Sequence, residues 1–202
     1  MTCTKRRRPS KHYRTIRKRN GSMKRILINP GVTRKRKKQT IPTITRKQRK
    51  VFNHLSNPDE FNSEWGGAID FDKKGNVENI GVIPGSTYEV DIPDDYEVKY
   101  HTHPDRNPSP PSPEDIVALM GDDRQQAELV FRNGITYSVL KTPKTKSLKR
   151  LGHKKLLVRI RKIFNEANDE EEYLNELKKM GFKVSVSKDK TSPIKIAINP
   201  VE

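Results

Sequence analysis

The distribution of charge along the chain most constrains which part of it can fold. Residues 1–50 contain 20 of the 42 Lys and Arg residues and none of the 25 acidic residues. The remaining residues carry 22 basic and 25 acidic side chains, so the net charge of +17 arises entirely from the first quarter of the chain. Like charges at this density repel, and few apolar residues are present there for burial. We therefore expect residues 1–46 to form a disordered basic tail and the near-neutral remainder to fold.

The tail contains short basic runs that suit contacts with the phosphates of nucleic acid or with another polyanion. Tyr13 offers little aromatic surface for base stacking, so a solubilising tail without sequence preference remains an alternative. Such runs also resemble nuclear import signals, and we expect an intracellular protein, nuclear if the host is eukaryotic. The candidate nucleic-acid-binding residues are Arg6, Arg7, Arg8, Arg17, Lys18, Arg19, Lys35, Arg36 and Lys37.

Cysteine content limits the chemistry that a metal site could use. Cys3 is the single cysteine, so a disulfide framework within one chain and a thiolate metal cage are both excluded. Histidine and carboxylate side chains remain as ligands. No run of about 18 apolar residues predicts a transmembrane helix, and no secretory signal is recognisable at the start.

Hydrophobic periodicity predicts a chain that contains both helices and strands. Residues 47–142 form the predicted core, and residues 143–202 a basic linker followed by an αα-ββ extension packed on that core. The predicted helices span residues 46–55, 113–121, 154–167 and 170–180. The predicted strands span residues 64–71, 77–83, 87–92, 96–103, 127–131, 135–140, 182–187 and 194–198.

One predicted strand ends in a His-x-His motif. Side chains two residues apart in a strand lie on the same face, so His101 and His103 can bind one metal ion together while Thr102 points away. Val98 and Tyr100 alternate with this pair. We expect these two residues to face the core and the histidines to lie on the opposite, accessible face.

A stiff loop with four prolines follows the histidines and leads into a helix. Ser112 suits the N-cap, Pro113 the first helical position and Asp115 the third. A capping box alone explains this Ser-x-x-Asp spacing in structural terms. Together with the histidine pair, however, it places a carboxylate near two imidazoles on stiff elements, as a preorganised metal site requires. Asp115 is thus the candidate third ligand of a zinc ion that keeps an open catalytic position.

Other enzyme classes also use His-x-His pairs. Two- and three-metal phosphoesterases and amidohydrolases need further histidines, and only His12, His54 and His153 are present elsewhere. A zinc deaminase signature is absent, since it requires His-x-Glu and paired cysteines. A mononuclear site fits the available ligands better. A metal-dependent nuclease, which would unite the tail and the site in one activity, stays open as a weaker alternative.

The order of these motifs resembles that of the JAMM (MPN+, JAB) zinc metalloprotease family. The resemblance covers about residues 47–140 and rests on Glu64-Trp65-Gly66-Gly67-Ala68-Ile69, His101-Thr102-His103-Pro104 and Ser112-Pro113-Glu114-Asp115-Ile116. It implies an α/β fold with an MPN-like mixed, curved sheet flanked by helices. It also implies one zinc ion and hydrolysis of a peptide or isopeptide bond, frequently next to ubiquitin or a ubiquitin-like protein.

The resemblance assigns roles to five residues. It makes His101, His103 and Asp115 the zinc ligands, Glu64 the general acid/base, and Ser112 a hydrogen-bond donor to the developing oxyanion. Eight residues separate His103 from Ser112, one more than the family usually has, and an extra loop residue adds little closure entropy. Other upstream carboxylates that could serve as the base are Glu60, Glu89 and Glu97.

A different class of function remains open beside the enzyme. A catalytically silent domain of the same fold could act as a binding protein whose basic tail attaches it to nucleic acid. The retention of all four motif residues His101, His103, Ser112 and Asp115 argues against a silent site. The sequence leaves open the physiological substrate, the oligomeric state and the role of residues 143–202.

Overall fold

The computed structural model describes residues 12–17, 23–28, 41–57, 62–87, 89–94, 96–103 and 110–196, the first two ranges by their backbone alone. The chain divides into two compact units, Met1–Gln39 and Thr40–Glu202. The strands are β1 His12–Arg17, β2 Met23–Ile28, β3 Thr43–Ile44, β4 Trp65–Phe71, β5 Val77–Ile80, β6 Ile83–Pro84, β7 Val98–Thr102, β8 Ala127–Arg132, β9 Ile135–Leu140, β10 Lys183–Ser187 and β11 Ile194–Lys195. The helices are α1 Arg46–Leu55, α2 Pro113–Gly121, α3 Lys146–Lys149, α4 His153–Glu166 and α5 Glu170–Lys179, with a 3-10 turn at Pro143–Thr145.

The first unit contains an antiparallel pair of strands. β1 pairs with β2, with His12 opposite Ile28 and Arg17 opposite Met23. Disorder was expected throughout residues 1–46, and the structure differs over these two stretches and over residues 41–46, which contain β3 of the second unit. Asn20-Gly21 lies between them in sequence, and this dipeptide is a strong hairpin signal. The other residues up to 40 lie outside the described part of the chain.

The second unit is built on a mixed seven-stranded sheet. Its strand order is β10-β9-β8-β7-β4-β5, and β6 also pairs with β4. β7 and β8 run parallel, whereas the other pairs are antiparallel. A parallel pair needs a crossover connection, and here α2 lies in that connection. The sheet confirms the α/β prediction, and the crossover brings the end of β7 and the first turn of α2 to the same edge.

Apolar layers cover both faces of the sheet. On one face, α1 places Phe52 against Phe131, with the two rings stacked 4.3 Å apart. On the other face, α2, α4 and α5 share a core cluster with strand residues such as Val130 and Tyr137. Phe131 and Val130 are neighbours on β8, so the period-two alternation of a strand distributes them to the two layers. Within the described residues, no helix has the length and apolar character needed to cross a membrane.

Gly66 and Gly67 allow neighbouring backbone to approach β4. A Cβ atom on Gly67 would overlap the carbonyl group of Gly81. One on Gly66 would lie 3.1 Å from the carbonyl oxygen of Tyr100 and 2.7 Å from a methyl group of Val90. Side chains at these two positions would separate β4 from the segments that it pairs with.

Several local predictions differ from the structure. Residues 87–92 contain no strand among their described positions, and the basic linker expected from residue 143 begins with the 3-10 turn and α3. In α1, the apolar side chain of Val51 is 41% exposed. Arg49 is fully buried instead, and its guanidinium donates to the Ser192 carbonyl oxygen at 2.8 Å.

Candidate metal centre

His101 and His103 turn their imidazole rings toward each other. His101 lies on β7, paired with Val130 of β8, and His103 follows the strand end, where its backbone N–H donates to Phe131. The two Nε2 atoms are 3.0 Å apart. The prediction that this pair shares one face is confirmed. The prediction that the face is accessible is wrong, because the two histidines are 5% and 7% exposed beneath the helical layer.

Asp115 reaches the histidines from the first turn of α2. Ser112 is the N-cap, and its hydroxyl oxygen accepts the Asp115 backbone N–H at 3.1 Å. The Ser112 backbone N–H in turn donates to Asp115 Oδ2 at 2.6 Å. The capping box and the proposed ligand are therefore one arrangement, because the backbone contact that caps the helix also fixes the carboxylate next to the imidazoles.

The three side chains fit a single metal ion. Their ligand atoms all lie within 4.8 Å of one another. Asp115 Oδ2 is 3.4 Å from His101 Nε2 and 3.7 Å from His103 Nε2. Metal–ligand bonds of about 2.0–2.2 Å in tetrahedral geometry separate the ligand atoms by about 3.3–3.6 Å. The observed separations bracket this range, so only small side-chain movements are needed to accommodate an ion.

Charges within the cluster hold the donor groups in defined states. Burial alone would raise the pKa of Asp115, but His101, His103 and the Ser112 amide outweigh it and lower the pKa to about 2. Burial alone would lower the pKa of His101, but Asp115 and Glu128 raise it well above its ordinary value. Asp115 is thus an ionised carboxylate, and His101 would have to release a proton to bind a cation.

Glu128 orients His101 from the neighbouring strand, a role that the sequence analysis missed. Its Oε1 atom lies 2.8 Å from His101 Nδ1, and both side chains are 7% exposed. Gln125, itself buried, donates its amide N–H to the second oxygen of Glu128. A carboxylate on the outer nitrogen directs the lone pair of the inner nitrogen toward a metal. The available signal was an acidic residue within the apolar run Ala127-Glu128-Leu129-Val130.

Glu64 lies close enough to the cluster to interact with it electrostatically. Burial raises the pKa of Glu64 to about 7, opposed by His101 and reinforced by Asp115 and Glu89. Its backbone is held from both sides. The N–H of Glu64 donates to Ser86 at 2.7 Å, and the next residue, Trp65, donates its N–H to the Thr102 hydroxyl at 2.9 Å. Thr102 faces away from the histidines, as predicted, and joins the start of β4, next to Glu64, to the strand that carries the histidines.

Among the described residues, the other candidates are not part of the ligand group, although Glu89 is close enough to Glu64 to raise its pKa. Glu97 lies just before β7, four residues away from His101, and Glu60 falls outside the described residues. His54 belongs to α1, and His153 is exposed at the start of α4. The predicted nucleic-acid-binding residues of the tail lie outside the described side chains, and only Arg17 falls within a strand, β1. Across the described ranges, His101, His103 and Asp115 are the one group of metal-ligating type.

Comparison with known proteins adds no family assignment. No family model matches the sequence. No curated protein and no solved structure matches it either. Fold and site together define an α/β protein with a mixed seven-stranded sheet and a buried two-histidine, one-carboxylate group that could hold a metal ion.

Proposed function

We propose that this protein is a zinc-dependent peptidase or isopeptidase of JAMM type. The observation that carries the proposal is that the ligand atoms of His101, His103 and Asp115 lie within 4.8 Å of one another. Glu64 is close enough for the charges of His101 and Asp115 to shift its pKa. The substrate class is a protein with a peptide or isopeptide bond, next to ubiquitin or a ubiquitin-like protein. This substrate rests on the resemblance of the motifs.

His101, His103 and Asp115 would hold the zinc ion. Such an ion supplies Lewis-acid chemistry, polarising a substrate carbonyl and making water acidic enough to attack near neutral pH. Imidazole and carboxylate donors also suit iron(II), so metal analysis must identify the ion.

Glu64 supplies the proton transfers in this proposal. A general base works best when its pKa lies near the operating pH, and burial brings Glu64 to about 7. A cation bound nearby would lower this pKa and favour the carboxylate that accepts a proton. The same carboxyl group can then return the proton to the leaving amine.

Ser112 can stabilise an oxyanion while it caps α2. Its hydroxyl oxygen accepts the Asp115 N–H, which leaves its own O–H hydrogen available for a second partner. A hydroxyl aimed at developing negative charge contributes to catalysis most strongly in a water-poor site. Ser112 is half-buried.

The experiment combines metal analysis with hydrolysis. The full chain is expected to bind close to one zinc ion, and His103→Ala to lose it. On a panel of ubiquitin-like proteins joined by peptide or isopeptide bonds, hydrolysis should stop when a chelator is added. Glu64→Gln should retain zinc but lose hydrolysis by about 10²-fold or more. Glu97→Gln, an exposed carboxylate at the far end of β7, is the matched control and should remain active. A fully active Glu64→Gln protein would rule out this mechanism.

The rival proposal is a catalytically silent binding protein that attaches to nucleic acid through its basic tail. The observation favouring it is the tail itself, with 20 basic and no acidic residues in the first 50. A chain that binds duplex DNA but neither zinc nor any substrate of the panel would support it. The tail can also serve the enzyme as a tether. In that case, neutralising the three run-forming residues Arg6, Arg7 and Arg8 should weaken DNA binding without changing zinc content.

A further inference from the structure

A second basic segment lies within the folded unit. Residues 141–165 contain ten basic and no acidic residues, whereas the rest of residues 51–202 carries 12 basic and 25 acidic residues. The near-neutral composition of the folded unit therefore conceals a strong separation of charge. The segment includes the 3-10 turn, α3 and nearly all of α4.

The basic side chains of α4 lie opposite its buried side. Leu156 and Ile160 pack into the core cluster. Lys154, Val158 and Lys162 follow one another at four-residue intervals on the other side, with Lys155 and Arg159 beside them. Val158 is 69% exposed and lies among these cations. We call the exposed basic residues of this segment the α3–α4 basic face; they are Lys144, Lys146, Lys149, Arg150, Lys154, Lys155, Arg159, Arg161 and Lys162.

Most cations of the α3–α4 basic face have no acidic partner among the described residues. Three of them pair with acids: Lys149 with Asp123, Arg161 with Glu114, and Lys162 with Glu166. The other six cations are exposed and make no ion pair with a described carboxylate. Uncompensated charge of one sign raises the local concentration of a polyanion and the rate at which it associates.

We propose that the α3–α4 basic face binds the phosphate backbone of a nucleic-acid duplex, independently of the N-terminal tail. Phosphate contacts require cations in a fixed arrangement and no readout of bases, so the binding is independent of sequence. The face is presented by a helix packed on the core, and its cations are therefore held at fixed intervals.

The exposed surface of α4 fits a duplex better than the other polyanions. A helix that lies on a membrane inserts a continuous apolar side, but the apolar side of α4 is packed in the core. Only Leu151 and Val158 are exposed apolar residues in this segment. Single strands stack their bases on exposed aromatic rings, and the one aromatic residue here, Phe164, packs against Tyr173 with ring centroids 5.0 Å apart.

The α3–α4 basic face belongs to the same packed unit as the metal centre. α4 packs against α2, and Arg161 Nε donates to Glu114 Oε1 at 2.9 Å. Glu114 directly precedes the ligand Asp115. A duplex bound here would hold the metal centre at the nucleic acid whatever reaction the centre performs. The inference does not depend on the proposed peptidase activity.

The test uses the full chain, with its tail, and a fluorescent DNA duplex of random sequence and about 20 base pairs, titrated over a salt series. A test protein loses four cations of the face through Arg150→Gln, Lys154→Gln, Lys155→Gln and Arg159→Gln. A control protein loses the same charge from exposed lysines elsewhere through Lys50→Gln, Lys74→Gln, Lys188→Gln and Lys195→Gln. Each lost phosphate contact lowers the salt slope by about 0.9, so the test protein should lose about 3–4 from its slope and at least about tenfold in affinity. The control should stay close to wild type.

A single substitution provides an independent check that leaves the cations in place. Val158→Glu puts a negative charge among them and should weaken duplex binding, whereas Val158→Gln should not. Equal losses in the test and control proteins would show an effect of net charge alone and overturn the inference. So would an unchanged slope in the test protein, because the tail would then account for all binding. Preferential binding to single strands or to anionic vesicles that is lost with the same four cations would also overturn it.

Discussion

Removal of the Glu128 carboxylate should weaken metal binding without touching a ligand. The Glu128 Oε1 to His101 Nδ1 distance of 2.8 Å is typical of a charge-assisted hydrogen bond, and both side chains are almost inaccessible to water. Loss of such a carboxylate partner commonly lowers metal affinity by about 10- to 100-fold, or about 1.4–2.7 kcal/mol. Glu128→Gln retains an acceptor but removes the charge that makes this hydrogen bond about twice as strong as a neutral one. We therefore expect about a tenfold loss for Glu128→Gln and about a hundredfold loss for Glu128→Ala.

The assay is a competition titration of the full chain against a chromophoric zinc chelator at neutral pH. Glu78→Gln removes an exposed carboxylate on β5 and should leave zinc affinity unchanged. Thermal unfolding of each metal-free variant separates a lost orienting contact from a lost fold. Gln125→Ala should give a smaller loss, since Gln125 contacts Glu128 and not the histidine. If folded Glu128→Ala binds zinc within about twofold of wild type, Glu128 has no orienting role and the reasoning is refuted.

Three further substitutions test the packing around the sheet. Arg49→Ala removes a buried guanidinium that donates to two backbone carbonyls and two hydroxyls. Urea unfolding should show that the free energy of unfolding falls by about 3 kcal/mol, and a fall of less than about 0.5 kcal/mol would contradict this. Gly67→Ala should lower the free energy of unfolding by about 2 kcal/mol or more in thermal melts, because the added Cβ would overlap the carbonyl group of Gly81. Gly121→Ala is the control and should not destabilise the protein, because a Cβ there would lie in open space. Lys99→Met removes the ammonium group that lies 2.9 Å from the largely buried carboxylate of Asp122, and it should reduce the free energy of unfolding by about 3 kcal/mol. Adding Asp122→Asn should restore part of this loss. No recovery in the double mutant would count against the pairing.

The ligand set could be predicted because its geometry is local. His101 and His103 share a face through the alternation of any strand. Asp115 is fixed by a capping box that can be recognised within four residues. These two patterns depend on backbone geometry alone, and the chain needs only the crossover between β7 and β8 to bring them together. The structure places all three ligand atoms within 4.8 Å.

Glu128 and the burial of the histidines could not be predicted in this way. Glu128 meets His101 because β8 pairs in parallel with β7, a register that joins segments nearly thirty residues apart in sequence. No periodicity within either strand specifies that register. The histidines were expected to be accessible because only the face of Val98 and Tyr100 was assigned to the core, whereas α2, α4 and α5 cover the face of the histidines. Layers contributed by distant helices are invisible to a local pattern.

Charge counting gave a useful but incomplete description of the chain. It separated the basic tail from the rest, but net charge averaged over residues 51–202 concealed the α3–α4 basic face. It also favoured disorder over the stretches that form β1 and β2, where Asn20-Gly21 signalled a hairpin. Repulsion between cations disfavours compact structure in general, but alternating apolar residues in a short strand can still pair.

The pairing of β3 with β11 sets a practical limit on how the second unit can be shortened. Ile194 lies opposite Ile44, and the Ile196 N–H donates to the Pro42 carbonyl at 2.8 Å. A fragment that starts at residue 47 would lack β3, the pairing partner of β11, and would also lack Thr45, the N-cap of α1. Ile194 and Ile196 would then lose the backbone that covers them. A fragment that starts at Thr40 keeps the pairing of β3 with β11, so recombinant truncations for crystallisation should begin there.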